Sequence, residues 1–144
     1  MKRLIALSAL FAALVLAGGC EGDEKEKIAK SLAIASKAMY SLQETVIEAH
    51  KQGMVSDETV KEILLTCIDV NQAGRAAAQY LKVVEEVTPE VKQRVFIILA
   101  PAVASVSRAM TKVDAIEDLL TRAHLKTFLI TAGAALSGVS SALQ

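Results

Sequence analysis

Ile28, Leu32, Ala35, Met39, Leu42, Val46 and Ala49 recur in alternating steps of four and three residues. Only an α-helix gathers that spacing onto one face; a strand scatters it to both sides. The rhythm returns in Ile63, Cys67, Val70, Gly74, Ala77, Leu81 and Val84, and again in Leu125, Leu129, Ala132, Leu136, Val139 and Leu143. An apolar seam is stable only when another apolar surface covers it, so these segments are committed to helix-on-helix packing. Two prolines and seven glycines in 144 residues are also too few turn formers for an all-β fold.

Local signals mark four helices. The first is predicted from about Asp23 to Gln52, with Gly53 as the stop. Ser56 is a good N-cap before Asp57 and Glu58, so the next helix follows a tight turn and runs to about Val87. Its middle is small, with Ala73, Gly74, Ala76, Ala77 and Ala78. Gly74 costs about 1 kcal/mol of helix propensity against Ala, and a close-packed neighbouring backbone is the expected reason for it. Thr88-Pro89-Glu90 opens the third helix, which runs to about Lys112. It carries two stripes: Val91, Val95, Ile98, Ala102, and Phe96, Leu99, Val103, Val106, Met110, Val113. It is therefore expected to be more buried than the first two, with a kink at residues 97–101 caused by Pro101. Asp114 and Glu117 form a D-x-x-E box, expected to cap a fourth helix ending near Leu143. Thr127 to Gln144 holds no charge and nearly suffices to span a bilayer. Its polar residues recur at helical spacing and no basic or aromatic flank closes it, so a buried bundle helix is expected. The expected fold is all-α, an antiparallel four-helix bundle of two helical hairpins. The hairpins could instead splay apart if Thr88–Pro89 only bends one long rod.

The chemistry-bearing residues are few. Sixteen Lys and Arg balance sixteen Asp and Glu, so no basic excess is available for nucleic-acid binding. Aromatic residues make up 3% and Trp is absent, which leaves little for base or sugar stacking. His50 and His124 have no His, Asp or Glu at ligand spacing, and E-x-x-H and H-E-x-x-H are both missing. Met39 or Met110 with His124 would be the one axial pair for a haem, but methionines at seam spacing read as core. Cys67 lies on the second seam and is expected to be a buried thiol, with an intermolecular disulfide as the alternative. Phosphate loops, G-x-S-x-G and C-x-x-C are absent. No catalytic, cofactor-binding or metal-binding residue is assigned, and an enzyme is not expected.

The N-terminus is an address. Met1-Lys2-Arg3 is basic, Leu4 to Leu16 is apolar apart from Ser8, and Ala17-Gly18-Gly19 are small. This is the layout of a secretory signal peptide, with an apolar core too short to span a bilayer. Cys20 stands at the cleavage edge, and Leu16-Ala17-Gly18-Gly19-Cys20 resembles the lipobox of bacterial lipoproteins. It departs from the pattern in having Ala17, not Leu, three residues before the cysteine. The resemblance implies lipidation of Cys20, in the manner of a diacylglycerol and palmitate-type anchor, and cleavage before it. The implied layout is 1–19 lipoprotein signal peptide, 20–26 lipidated Cys and polar tether, and 27–144 helical bundle domain. Loss of Lys2 and Arg3 leaves 14 basic against 16 acidic residues. Glu21, rather than Asp, leans toward the outer membrane, with the domain facing the periplasm, or the cell exterior in a Gram-positive envelope.

The expected role is a membrane-tethered envelope lipoprotein, a non-catalytic structural or protein-interaction module. Its partners are the membrane, through the N-terminal lipid, and either another protein or a second copy if the seams are too broad to bury internally. The alternative is a carrier of a small apolar or lipid-like ligand between the hairpins. Gln52-Gly53-Met54-Val55-Ser56-Asp57-Glu58, with Asn71-Gln72-Ala73, also resembles small uncharacterised helical proteins of bacteria and their phages. That resemblance implies no activity, but it admits a phage-encoded exclusion or lysis accessory lipoprotein.

Overall fold

The computed structural model describes residues 24–142, with side chains to Val139. Four helices follow in order: α1 (Glu24–Lys51), α2 (Asp57–Val83), α3 (Pro89–Asp114) and α4 (Leu119–Ala142).

In α1, acids lie in the first turn and His50 and Lys51 in the last, matching the helix dipole. All seven residues of its predicted seam are buried. Glu24, Lys25 and Glu26, read from the sequence as tether, are already helical. The stop at Gly53 follows the Schellman pattern. The Met54 N–H donates to Ala49 O at 3.0 Å and the Gly53 N–H to His50 O at 2.9 Å, with Gly53 at φ +74°. Val55 then plugs into the core, and Ser56 Oγ accepts the Thr59 N–H at 3.3 Å to start α2.

Helix α2 ends four residues earlier than the sequence suggests. Val84 is extended, and its carbonyl accepts a hydrogen bond from Lys25 Nζ. Thr88 is extended as well, because the ring of Pro89 disfavours a helical residue before it. As expected, Thr88 caps α3, accepting the Val91 N–H at 3.4 Å. Helix α3 runs unbroken through Pro101, whose ring lies on the solvent side.

The fourth N-cap is Asp118 rather than Asp114. Asp114 is the last residue of α3, while Asp118 Oδ2 accepts the Thr121 N–H at 2.9 Å. The cause is Ile116, which turns into the core just after α3 and delays the next helix by a turn. The D-x-x-E spacing takes no account of that plug.

The helices form a closed antiparallel ring. Cys67 meets Met39 between α2 and α1, and Thr66 meets Ser105 between α2 and α3. A methyl on Gly133 would touch Val106 of α3 at 3.7 Å, and one on Gly138 would touch Ser31 of α1 at 3.7 Å. The α1–α4 and α2–α3 seams are the most extensive, and the diagonal helices stay apart. Each hairpin is thus held by the other, and they do not splay. The core is a column of residues such as Ile28, Met39, Leu42, Ile63, Val95, Leu125, Leu129 and Leu136, all nearly fully buried.

Two packing expectations are overturned. A Cβ built on Gly74 meets nothing within 4 Å, so no backbone approaches it closely. The second stripe of α3 divides: Leu99, Val106 and Val113 are buried, but Phe96 and Val103 are exposed, at 52% and 39%. They project past the α4 flank, where a four-membered ring offers no fifth helix to cover them. The uncharged run from Thr127 onward is a bundle helix over its described part, with Leu129, Ala132, Ala135, Leu136 and Val139 buried.

Candidate functional site

Cys20, the one residue assigned a modification from sequence, lies outside the described residues. The other candidates fall at separate places in the bundle. His50 closes the α1–α2 turn: its Nδ1 lies 2.9 Å from Val55 O, and its Nε2 lies 3.3 Å from a carboxylate oxygen of Asp57. It therefore pins the buried Val55 loop to α1. His124 is on the exposed face of α4, while Met39 is in the core and Met110 is half-buried, so no Met–His pair forms. Among the described residues no group of three His, Cys, Asp or Glu could hold a metal ion.

Cys67 is buried as the seam predicts. Burial pushes its thiol pKa up to about 11, and its Sγ donates to the Met39 carbonyl at 3.4 Å. A thiol held protonated is a poor nucleophile and a poor redox group.

One polar cluster escaped the sequence reading. Between α2 and α3, buried Ser105 donates its hydroxyl to Asp69 and accepts from Arg108 Nη2 at 2.7 Å. Arg108 also reaches Glu62 at 3.5 Å, and Thr66 donates to the Ser105 carbonyl at 3.2 Å. The Ser105 hydroxyl lacks a histidine or lysine base, so the cluster orients α2 on α3 rather than activating a nucleophile. The available signal was Glu62 and Asp69, seven residues apart on one face, opposite Arg108.

An open depression of about 350 Å³ lies beside the same turn, lined by His50, Val60, Leu64 and Ile68 among others. Its walls are mostly aliphatic, with His50 and Asp57 already bonded to each other.

The broadest unusual feature is a surface. Phe96, Ile97 and Val103 of α3 are exposed, as are Leu119, Leu120 and Ile130 of α4. Residues 95–107 carry no charge, nor do residues 127–142. The antiparallel α3–α4 register, set by Val106 beside Gly133, lays these two runs next to each other. No Asp or Glu occurs in 91–113 or in 119–142, which hold Lys92, Arg94, Arg108, Lys112, Arg122 and Lys126. The acids that meet these cations come from outside those runs. Lys92 pairs with Glu24, Arg108 with Glu62 and Asp69, Lys112 with Glu58, and Lys126 with Asp114. The result is an apolar face with cations along it and its acids, Glu90, Asp114, Glu117 and Asp118, confined to the ends of the two helices.

Comparison with protein-family models, with curated protein sequences and with solved structures finds no match.

Proposed function

We propose that this chain is a lipid-anchored protein of the bacterial envelope, held by Cys20, whose helical bundle acts by contact rather than catalysis. The observation that carries the reading is the basic, apolar and small-residue succession of Met1 to Gly19 that ends at Cys20. The bundle is consistent with that role. The Cys67 thiol is spent on packing and the His50 imidazole on turn closure, whereas Phe96, Ile97, Val103 and Ile130 are exposed. Packing of the hairpins against each other along the α1–α4 and α2–α3 seams favours the contact role over that of a ligand carrier. A stable hold on the bilayer takes two or more acyl chains, since one chain binds only marginally.

The test is metabolic labelling with a clickable palmitate analogue, followed by fractionation of wild type and Cys20→Ala. Label on the wild type alone, in the membrane fraction, is the expected result. An unlabelled wild type, or a Cys20→Ala variant that stays labelled, would sink the assignment.

A further inference from the structure

We propose that the outer surface of α3 and α4 lies flat on an anionic bilayer, so that the anchored bundle rests on its side. This rests on the anchored reading above and adds an orientation to it.

Helix α3 is long and apolar enough to cross a membrane, yet only 33% of its most apolar 18-residue window is buried in the bundle. The rest faces outward as Phe96, Ile97, Ala100, Pro101, Val103 and Ala104. Crossing is ruled out for the folded bundle, because Val95, Leu99, Ala102 and Val106 are core residues and Ser105 is tied to Asp69. A helix with one buried and one exposed apolar face lies in the headgroup plane instead, sinking by about 5–10 Å.

The start of α1 points to the bilayer as the occupant. Glu24 pairs with Lys92 at 3.0 Å, so the chain enters the bundle beside the first turn of α3. Cys20, the lipid-bearing residue of that reading, is separated from Glu24 by only three residues, 21–23. The step from Cys20 to Glu24 reaches about 14 Å at full extension. A bilayer gripped at Cys20 is thus within range of Phe96, one turn beyond Lys92.

Charge agrees. No acid occurs on the face between 91 and 113 or between 119 and 142, and Arg94 and Arg122 form no ion pair among the described residues. Anionic phospholipid headgroups attract juxtamembrane cations by about 1 kcal/mol each. A second copy fits less well. Twofold pairing of a surface without acids between 91 and 113 or 119 and 142 sets unpaired Arg94 and Arg122 of one molecule against cations of the other.

The test uses the full-length, lipid-modified protein reconstituted into phosphatidylglycerol–phosphatidylcholine vesicles that contain a photoactivatable phospholipid. Crosslinks are mapped by mass spectrometry. They are expected in 96–104 of α3 and 123–134 of α4, and not on the outer face of α1 between Lys37 and Glu48. The double variant Ile97→Glu, Val103→Glu changes exposed positions only. It is expected to lose the α3–α4 lipid crosslinks while keeping the wild-type melting temperature and the palmitate label. Crosslinks centred on α1, or spread evenly over all helices, would overturn the orientation while leaving the anchor in place. Protein–protein crosslinks joining two copies through Phe96–Val103 would overturn it in favour of a dimer. A wild-type chain without palmitate label would remove the anchored reading and this orientation with it.

Discussion

Gly53 and Gly74 have the same side chain and opposite demands. Gly53 holds a left-handed backbone, whereas Gly74 is ordinary helix with open space where a Cβ would go. Gly53→Ala is therefore expected to cost about 1–2 kcal/mol in backbone strain. Gly74→Ala should gain about 1 kcal/mol from helix propensity alone. Thermal melts should move by a few degrees in opposite directions, and a destabilising Gly74→Ala would mean that a neighbour packs there after all. Asp118 gives a pH-dependent case. Its carboxylate accepts the Thr121 backbone N–H, and that bond holds its pKa below the usual carboxylate range. Folding then favours the ionised form. The contribution is complete above the ordinary carboxylate range and is lost as pH falls through the lowered value. Asp118→Asn can still accept the bond but does not titrate. Urea midpoints measured from neutrality into acid should therefore fall further for wild type than for the variant; parallel curves would contradict this.

Among the elements, α1 was fully legible, because its seam faces two neighbours and nothing competes with the apolar pattern. Helix α4 shows the same logic over its described length. Leu129→Ala, at a fully buried position, should cost about 2–5 kcal/mol. The adjacent Ile130→Ala, 57% exposed, should stay within about 0.5 kcal/mol. Chemical denaturation of the two variants decides this, and equal losses would argue against the ring. Helix α3 was only half legible. Periodicity reports that a residue is apolar and on a given face, not whether a neighbour exists to cover that face. Phe96 and Val103 look like core by spacing, and only the number of helices in the ring leaves them outside. The Asp114–Glu117 box failed for a related reason: the capping pattern is local, while the position of the cap was decided by Ile116 reaching the core. The polar cluster of Asp69, Ser105 and Arg108 was illegible because it depends on which helices become neighbours.

For the molecule as a whole, the ring allows no hairpin to open alone, since each helix is packed against two others. Cys67, on the α1–α2 seam, is the natural reporter of this. Its thiol is buried and shifted to about pH 11, so alkylation by iodoacetamide at neutral pH should proceed only through opened molecules. The labelling rate should rise with urea along the slope of global unfolding. A shallow dependence would reveal local opening of α1 or α2 and would count against a single cooperative unit. Because the helices alternate in direction, Glu24 and Ala142 lie at one end of the bundle, and the turns at Gly53 and Ile116 lie at the other. A circular permutant that joined α4 to α1 and was cut between Ile116 and Glu117 would preserve all four seams. Both of its termini would move by about 40 Å, the length of a helix of this size, so a lipid attached to the new N-terminus would tether the same bundle by its opposite end.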